Sequence, residues 1–159
     1  HIRLADDGPV GYGKEGSFEG FCSGGGIAQL AKDIVRKRLA QDDPVSFLPD
    51  SGVNSITARI VGQAAEAGDK LAQSILGLSG RWLGKGLSII IDILNPEVIV
   101  IGSVFARSRK FLQPPAEEVI RAEALSPAAA VCRIEPAGLG EKIGDIAALS
   151  VGIDGLEHS

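Results

Sequence analysis

Leu94-Asn95-Pro96-Glu97-Val98-Ile99-Val100-Ile101-Gly102 decides the fold of this 159-residue chain. Proline cannot donate to a helix and disfavours right-handed helical backbone at the residue before it, so Asn95-Pro96 stops any helix that reaches it. After Glu97 comes an unbroken β-branched run ending in glycine. That is the pattern of a strand buried on both faces of a mainly parallel sheet. A helix stopped by proline and followed at once by such a strand predicts an α/β fold.

Upstream, Asp69 is placed to cap a long helix over residues 70–94. Leu71, Ile75, Leu78 and Trp82 step along one face, and Leu83, Leu87, Ile90 and Leu94 along an adjoining one. So wide an apolar arc belongs to a central helix. Before it, Ser55 reads as the cap of a helix running to Ala67, and residues 41–54, rich in Pro and Asp, read as loop. Residues 2–4 read as the tail of a strand, residues 6–16 as a Gly-rich loop, and Ser17 as the start of a short helix. The run Ser23-Gly24-Gly25-Gly26 reads as a break or kink, followed by a second helix carrying Ile27, Leu30, Ala31, Ile34 and Leu39. The three glycines serve either close packing or a phosphate cradle. Downstream, Pro114-Pro115 reads as a helix start, Val131-Cys132-Arg133-Ile134 as a second strand, and residues 143–153 as a last helix. The Gly102-Ser103 turn is either an ordinary strand end or a ligand contact, because ligands of open α/β sheets collect beyond the carboxyl ends of strands.

Composition narrows the function. Aromatic residues are only 4% of the chain, so the core must be aliphatic. A net charge of −4, with the basic run Lys32, Arg36, Lys37, Arg38 interleaved by Asp33, argues against nucleic acid as a partner of this segment. No stretch approaches the roughly 20 apolar residues of a membrane span, and no leader pattern opens the chain, so a membrane is not an expected partner. Cys22 and Cys132 lack any ligand spacing, which fits a reducing cytoplasm. No GxSxG, HExxH or Walker-type motif is present, and His1 and His158 are the only histidines. The chain starts at His1 and contains no methionine, so it is expected to be a share of a longer protein.

Several pieces, in order, resemble the ROK (repressor, open reading frame, kinase) family. They are His1, Asp7-Gly8-Pro9, Gly13, Gly16, Glu19 and Ser23-Gly24, then Gly68-Asp69-Lys70-Leu71-Ala72. Leu83-Gly84-Lys85-Gly86, the opening stretch through Gly102, and Leu139-Gly140-Glu141 continue the series. The resemblance implies an actin-like ATPase (ribonuclease H-like) fold of two lobes closing on ATP and a sugar. Residues 1–159 would be the C-terminal lobe, truncated at its N-terminus, with a mainly parallel sheet flanked by helices. It implies that His1 and Glu19 contact the sugar and that Gly102 and Ser103 lie against the adenosine. In the family a structural zinc takes one His and three Cys from the Gly-rich loop. Those Cys positions fall here on Val10, Tyr12 and Ser17, so no zinc is expected. The family's catalytic Asp and its phosphate-binding hairpin would precede His1, which leaves no catalytic residue in this chain. The implied activity of the intact protein is Mg-ATP-dependent phosphorylation of a hexose or N-acetylhexosamine. The alternative is a sugar-sensing transcriptional repressor. An unpaired sheet edge left by the missing strands predicts a homodimer or larger assembly.

Overall fold

In the computed structural model, which describes residues 1–138 together with Ile146 and Leu149, the chain opens with a small antiparallel hairpin. Its strands are β1 (Val10–Gly11) and β2 (Lys14–Glu15). Helices α1 (Phe18–Cys22), α2 (Gly24–Leu39), α3 (Ala58–Glu66) and α4 (Lys70–Leu94) follow. Strand β3 (Val98–Ile101) leads into helices α5 (Val104–Glu123) and α6 (Ser126–Val131), then into strand β4 (Arg133–Pro136). β3 and β4 pair in parallel with Ile99 opposite Ile134, so α5 and α6 form the crossover between them. The chain is α/β, with helices packed on a small parallel sheet.

The long helix forms where its end signals say it should. The Asp69 carboxylate accepts from the Ala72 N–H at 2.8 Å, and Asn95 adopts the left-handed conformation (φ 45°, ψ 53°) that closes the far end. Ile75, Leu76, Leu83, Leu87 and Ile91 are buried in the core. Each removes enough apolar area from water to contribute about 1.5–3 kcal/mol. Leu94, expected on that face, is instead 69% exposed, and Ile93 beside it is 73% exposed, so the end of the helix is not covered by the described residues. The closest packing comes from residues with little or no side chain. A Cβ on Gly84 would lie 2.5 Å from the Ala116 carbonyl oxygen, and one on Gly80 2.5 Å from that of Leu112. The α4 and α5 backbones therefore approach as only glycine permits.

Four sequence expectations need correcting. The helix expected to begin at Pro114 begins at Val104 and carries both prolines inside it, with a single non-helical residue, Ser108 (φ −117°, ψ 23°). The Pro115 ring lies 2.7 Å from where a Gly80 Cβ would sit, so packing into a glycine notch offsets the lost helical hydrogen bonds. Second, the helix expected from Ser55 is capped by Thr57, and residues 53–55 form one 3-10 turn. Third, the strand expected at residues 131–134 is shifted to Arg133–Pro136, because Pro127 in a first turn starts the unforeseen helix α6. Fourth, β3 is not buried on both faces. Ile99 and Ile101 pack inward while Val98 and Val100 are 42% and 60% exposed, since helices among the described residues cover one face only. Among the described residues the parallel sheet has two strands. Residues 2–4 form one antiparallel bridge, Arg3 with Ser17. Ile146 and Leu149 are helical, while the rest of the helix expected over residues 143–153, and Leu139-Gly140-Glu141 before it, lie outside the described residues.

Candidate functional site

The Gly-rich loop is folded tightly against α1. Tyr12 and Gly13 both have positive φ (47° and 74°), the primed turn that suits a two-residue hairpin. Leu4 N–H donates to the Gly16 carbonyl at 2.8 Å, and Phe18 N–H to that of Ile2 at 2.9 Å, tying residues 2–4 across the loop's end. The Ser17 hydroxyl, fully buried, accepts from the Gly20 N–H at 3.0 Å and so caps α1. Val10 is held in both directions by Gln29 of α2: its N–H donates to Oε1 and its carbonyl accepts from Nε2, each at 2.9 Å.

Glu19 stands on the exposed side of α1. It lines a cavity of about 420 Å³ together with Ser23 and Gly24, and with Gly102 and Ser103 at the carboxyl end of β3. The floor is apolar, built from Leu83 and Leu87 of α4 and Ile99 and Ile101 of β3. Three of the four expected contact residues therefore share one cavity. The fourth does not: His1 is exposed, makes an edge contact with the Tyr12 ring at 5.9 Å, and is not among the lining residues. A larger cavity of about 670 Å³ between α5, α6 and β4 holds none of the expected site residues.

Each wall of the first cavity has a local cause. Ser103 occupies a conformation (φ 54°, ψ −126°) that suits glycine, and its side chain does not cap α5. The first N–H groups of α5 are thus left without a side-chain cap at the cavity's edge. Gly26 is a packing glycine, since a Cβ there would lie 1.7 Å from the Gly20 carbonyl oxygen. Gly24, in contrast, meets nothing closer than 3.8 Å and lies open to the cavity. Cys22 and Ser79 were not foreseen as wall residues, because neither carries a motif. The Ser79 hydroxyl donates to the Phe21 carbonyl at 2.8 Å, and the Cys22 thiol approaches the Ser79 carbonyl at 4.0 Å. Burial first, and the Glu19 carboxylate second, push the Cys22 thiol well above its ordinary range, so it stays protonated. Both cysteines are free.

The positions aligned with the family's zinc cysteines do not suit a zinc ion. Val10 offers no donor, Tyr12 points into solvent at 86% exposure, and the Ser17 hydroxyl is committed to its cap. Among the described residues no group of three or more His, Cys, Asp or Glu side chains could hold a metal ion. No helix among them is long and apolar enough to cross a membrane.

The chain is 31% identical over 148 residues to a glucokinase of Halalkalibacterium halodurans, covering 92% of this chain and 44% of that protein. It is 28% identical over 113 residues to the DNA-binding transcriptional dual regulator NagC of Escherichia coli, covering 71% of this chain and 26% of that protein. It thus spans less than half the length of either relative. Its fold matches a ROK family glucokinase from Streptomyces griseus, solved with glucose and AMPPNP, at a TM-score of 0.73 and 24% identity. That match covers 89% of this chain and 46% of the other. The ROK family profile matches residues 1–153, and the chain belongs to the ROK family.

Proposed function

We propose that this chain is the C-terminal, actin-like lobe of an ATP-dependent kinase for a hexose or N-acetylhexosamine, inactive by itself. The observation that carries the proposal is the shared cavity: Glu19 on one wall, and Gly102 and Ser103 at the carboxyl end of a parallel strand on another. A carboxylate exposed at a cavity rim is an acceptor suited to sugar hydroxyls. A glycine turn beyond a strand, followed by a helix N-terminus without a side-chain cap, suits the close approach of a nucleotide. In the intact protein an Asp of the other lobe takes the proton from a sugar hydroxyl, which attacks the γ-phosphate of Mg-ATP. Positioning and electrostatics then supply most of the rate. This lobe's part is to hold the two substrates in register.

A sugar-sensing repressor is the second reading, favoured by the likeness to NagC across the same residues. An assay of ADP production by the full-length protein, given hexoses and N-acetylhexosamines with Mg-ATP, separates the two. Turnover with one of these sugars supports the kinase. Sugar binding without ADP release moves the protein to the repressor class.

A further inference from the structure

The Gly-rich loop carries its own device for holding Glu19, and the device needs no metal. One carboxamide, that of Gln29, satisfies both backbone groups of Val10 with bonds of 2.9 Å, as a neighbouring strand would. The next residue, Gly11, presses on α1: a Cβ there would lie 2.5 Å from the Gly20 nitrogen and 2.8 Å from both Cβ and Cγ of Glu19. On the other side of Val10, the Pro9 carbonyl oxygen would lie 2.0 Å from a Cβ on Gly20. Residues 9–11 are therefore pressed against the stem of Glu19, and the side chain that ties them to α2 is Gln29. The positions aligned with zinc ligands supply no thiolate, and Ser17 is already engaged in its cap.

We propose that Gln29 is the positioning residue of the sugar site, its carboxamide ordering this loop and, through it, Glu19. This rests on the sugar-binding role assigned to Glu19 above. The carboxamide is matched to the task because one group must accept from an N–H and donate to a carbonyl at the same time. A carboxylate of the same shape accepts from the N–H but faces the Val10 oxygen with no hydrogen to offer.

The test uses the full-length protein and two variants, Q29A and Q29E, with glucose, N-acetylglucosamine and Mg-ADP as probes. Q29A is expected to weaken binding of the sugar by roughly tenfold, the equilibrium equivalent of about 1.4 kcal/mol. Mg-ADP affinity should stay within about twofold of wild type, a split that general destabilisation would not produce. Q29E, which keeps the side chain's shape and guards against a folding defect in Q29A, should weaken the sugar at least as much. Amide exchange over residues 9–20 should quicken in both. Unchanged sugar affinity in both variants, or equal loss of sugar and nucleotide, overturns the proposal, as does about one zinc per chain retained after chelator treatment. If the wild type binds neither sugar, the function assigned above fails instead. The exchange measurement then decides the clamp alone: faster exchange upholds it, and unchanged exchange overturns it.

Discussion

Replacing Gly84 and Gly77 by alanine, one at a time, should move stability in opposite directions although both lie inside α4. Gly→Ala in a helix interior gains about 1 kcal/mol from propensity and from the reduced freedom of the unfolded chain. That gain is common to the two sites and cancels between them. At Gly77 a new Cβ meets nothing within 4 Å among the described residues, so the gain stands. At Gly84 it lies 2.5 Å from the Ala116 carbonyl oxygen and 2.7 Å from the Val119 Cβ. The obstacle is α5 backbone, which yields only if the two helices part. Overpacking of this kind costs about 1–3 kcal/mol, and a backbone obstacle places it at the upper end. The net expectation is G77A more stable by about 1 kcal/mol and G84A less stable by about 2 kcal/mol. Urea denaturation of the full-length protein, with equal slopes for wild type and variants, reads the difference from the midpoints. A G84A variant as stable as G77A would refute the close α4–α5 contact at this position.

Ser103→Gly should stabilise the protein by about 1 kcal/mol, because relief of a conformation costing about 1–3 kcal/mol outweighs glycine's larger unfolded-state entropy; a thermal midpoint that falls would contradict this. Asp69→Ala should cost about 1 kcal/mol at neutral pH through loss of the α4 cap, read from the same urea midpoints. Burial tends to raise the Asp69 carboxyl, but the Ser46 hydroxyl, the Ala72 and Leu71 N–H groups and Arg38 together hold it below its ordinary value. A depressed carboxyl stabilises above its unfolded value and loses that contribution as pH falls through the folded one. The advantage of wild type over Asp69→Asn, which keeps a cap but cannot titrate, should therefore shrink below about pH 4. A difference that is flat across that range would show that the charge contributes nothing.

How far the sequence was legible depended on where local chemistry decided the outcome. Asp69, Asn95 and Pro96 act within a turn of themselves, so both ends of α4 could be read from them, and the β-branched run 98–101 is the strand it promised. Pro114 and Pro115 misled because the Pro115 ring lies in a notch made by Gly80, a partner more than 30 residues away that no local rule reveals. The exposed faces of Val98 and Val100 were read as buried because a β-branched run does not say which neighbours will cover it. Glu19, Gly102 and Ser103 were singled out through the family resemblance, and they line one cavity. His1 lies apart from them, because the loop turns it toward Tyr12. Cys22, Ser79 and Gln29 left no signal: a thiol, a hydroxyl and an amide on helices look like ordinary surface or core until their partners in the fold are seen.

Titration calorimetry of the full-length protein with hexoses and N-acetylhexosamines, in the presence of a non-hydrolysable Mg-nucleotide, tests the central claim most directly when run beside E19Q. The variant keeps the shape of Glu19 but removes the charged acceptor facing the cavity. Wild-type protein should bind one of these sugars, and E19Q should bind it at least tenfold more weakly while nucleotide affinity is unchanged, the loss expected for a hydrogen bond to a charged group. Equal sugar affinity in wild type and E19Q would contradict the assignment of this cavity as the sugar site.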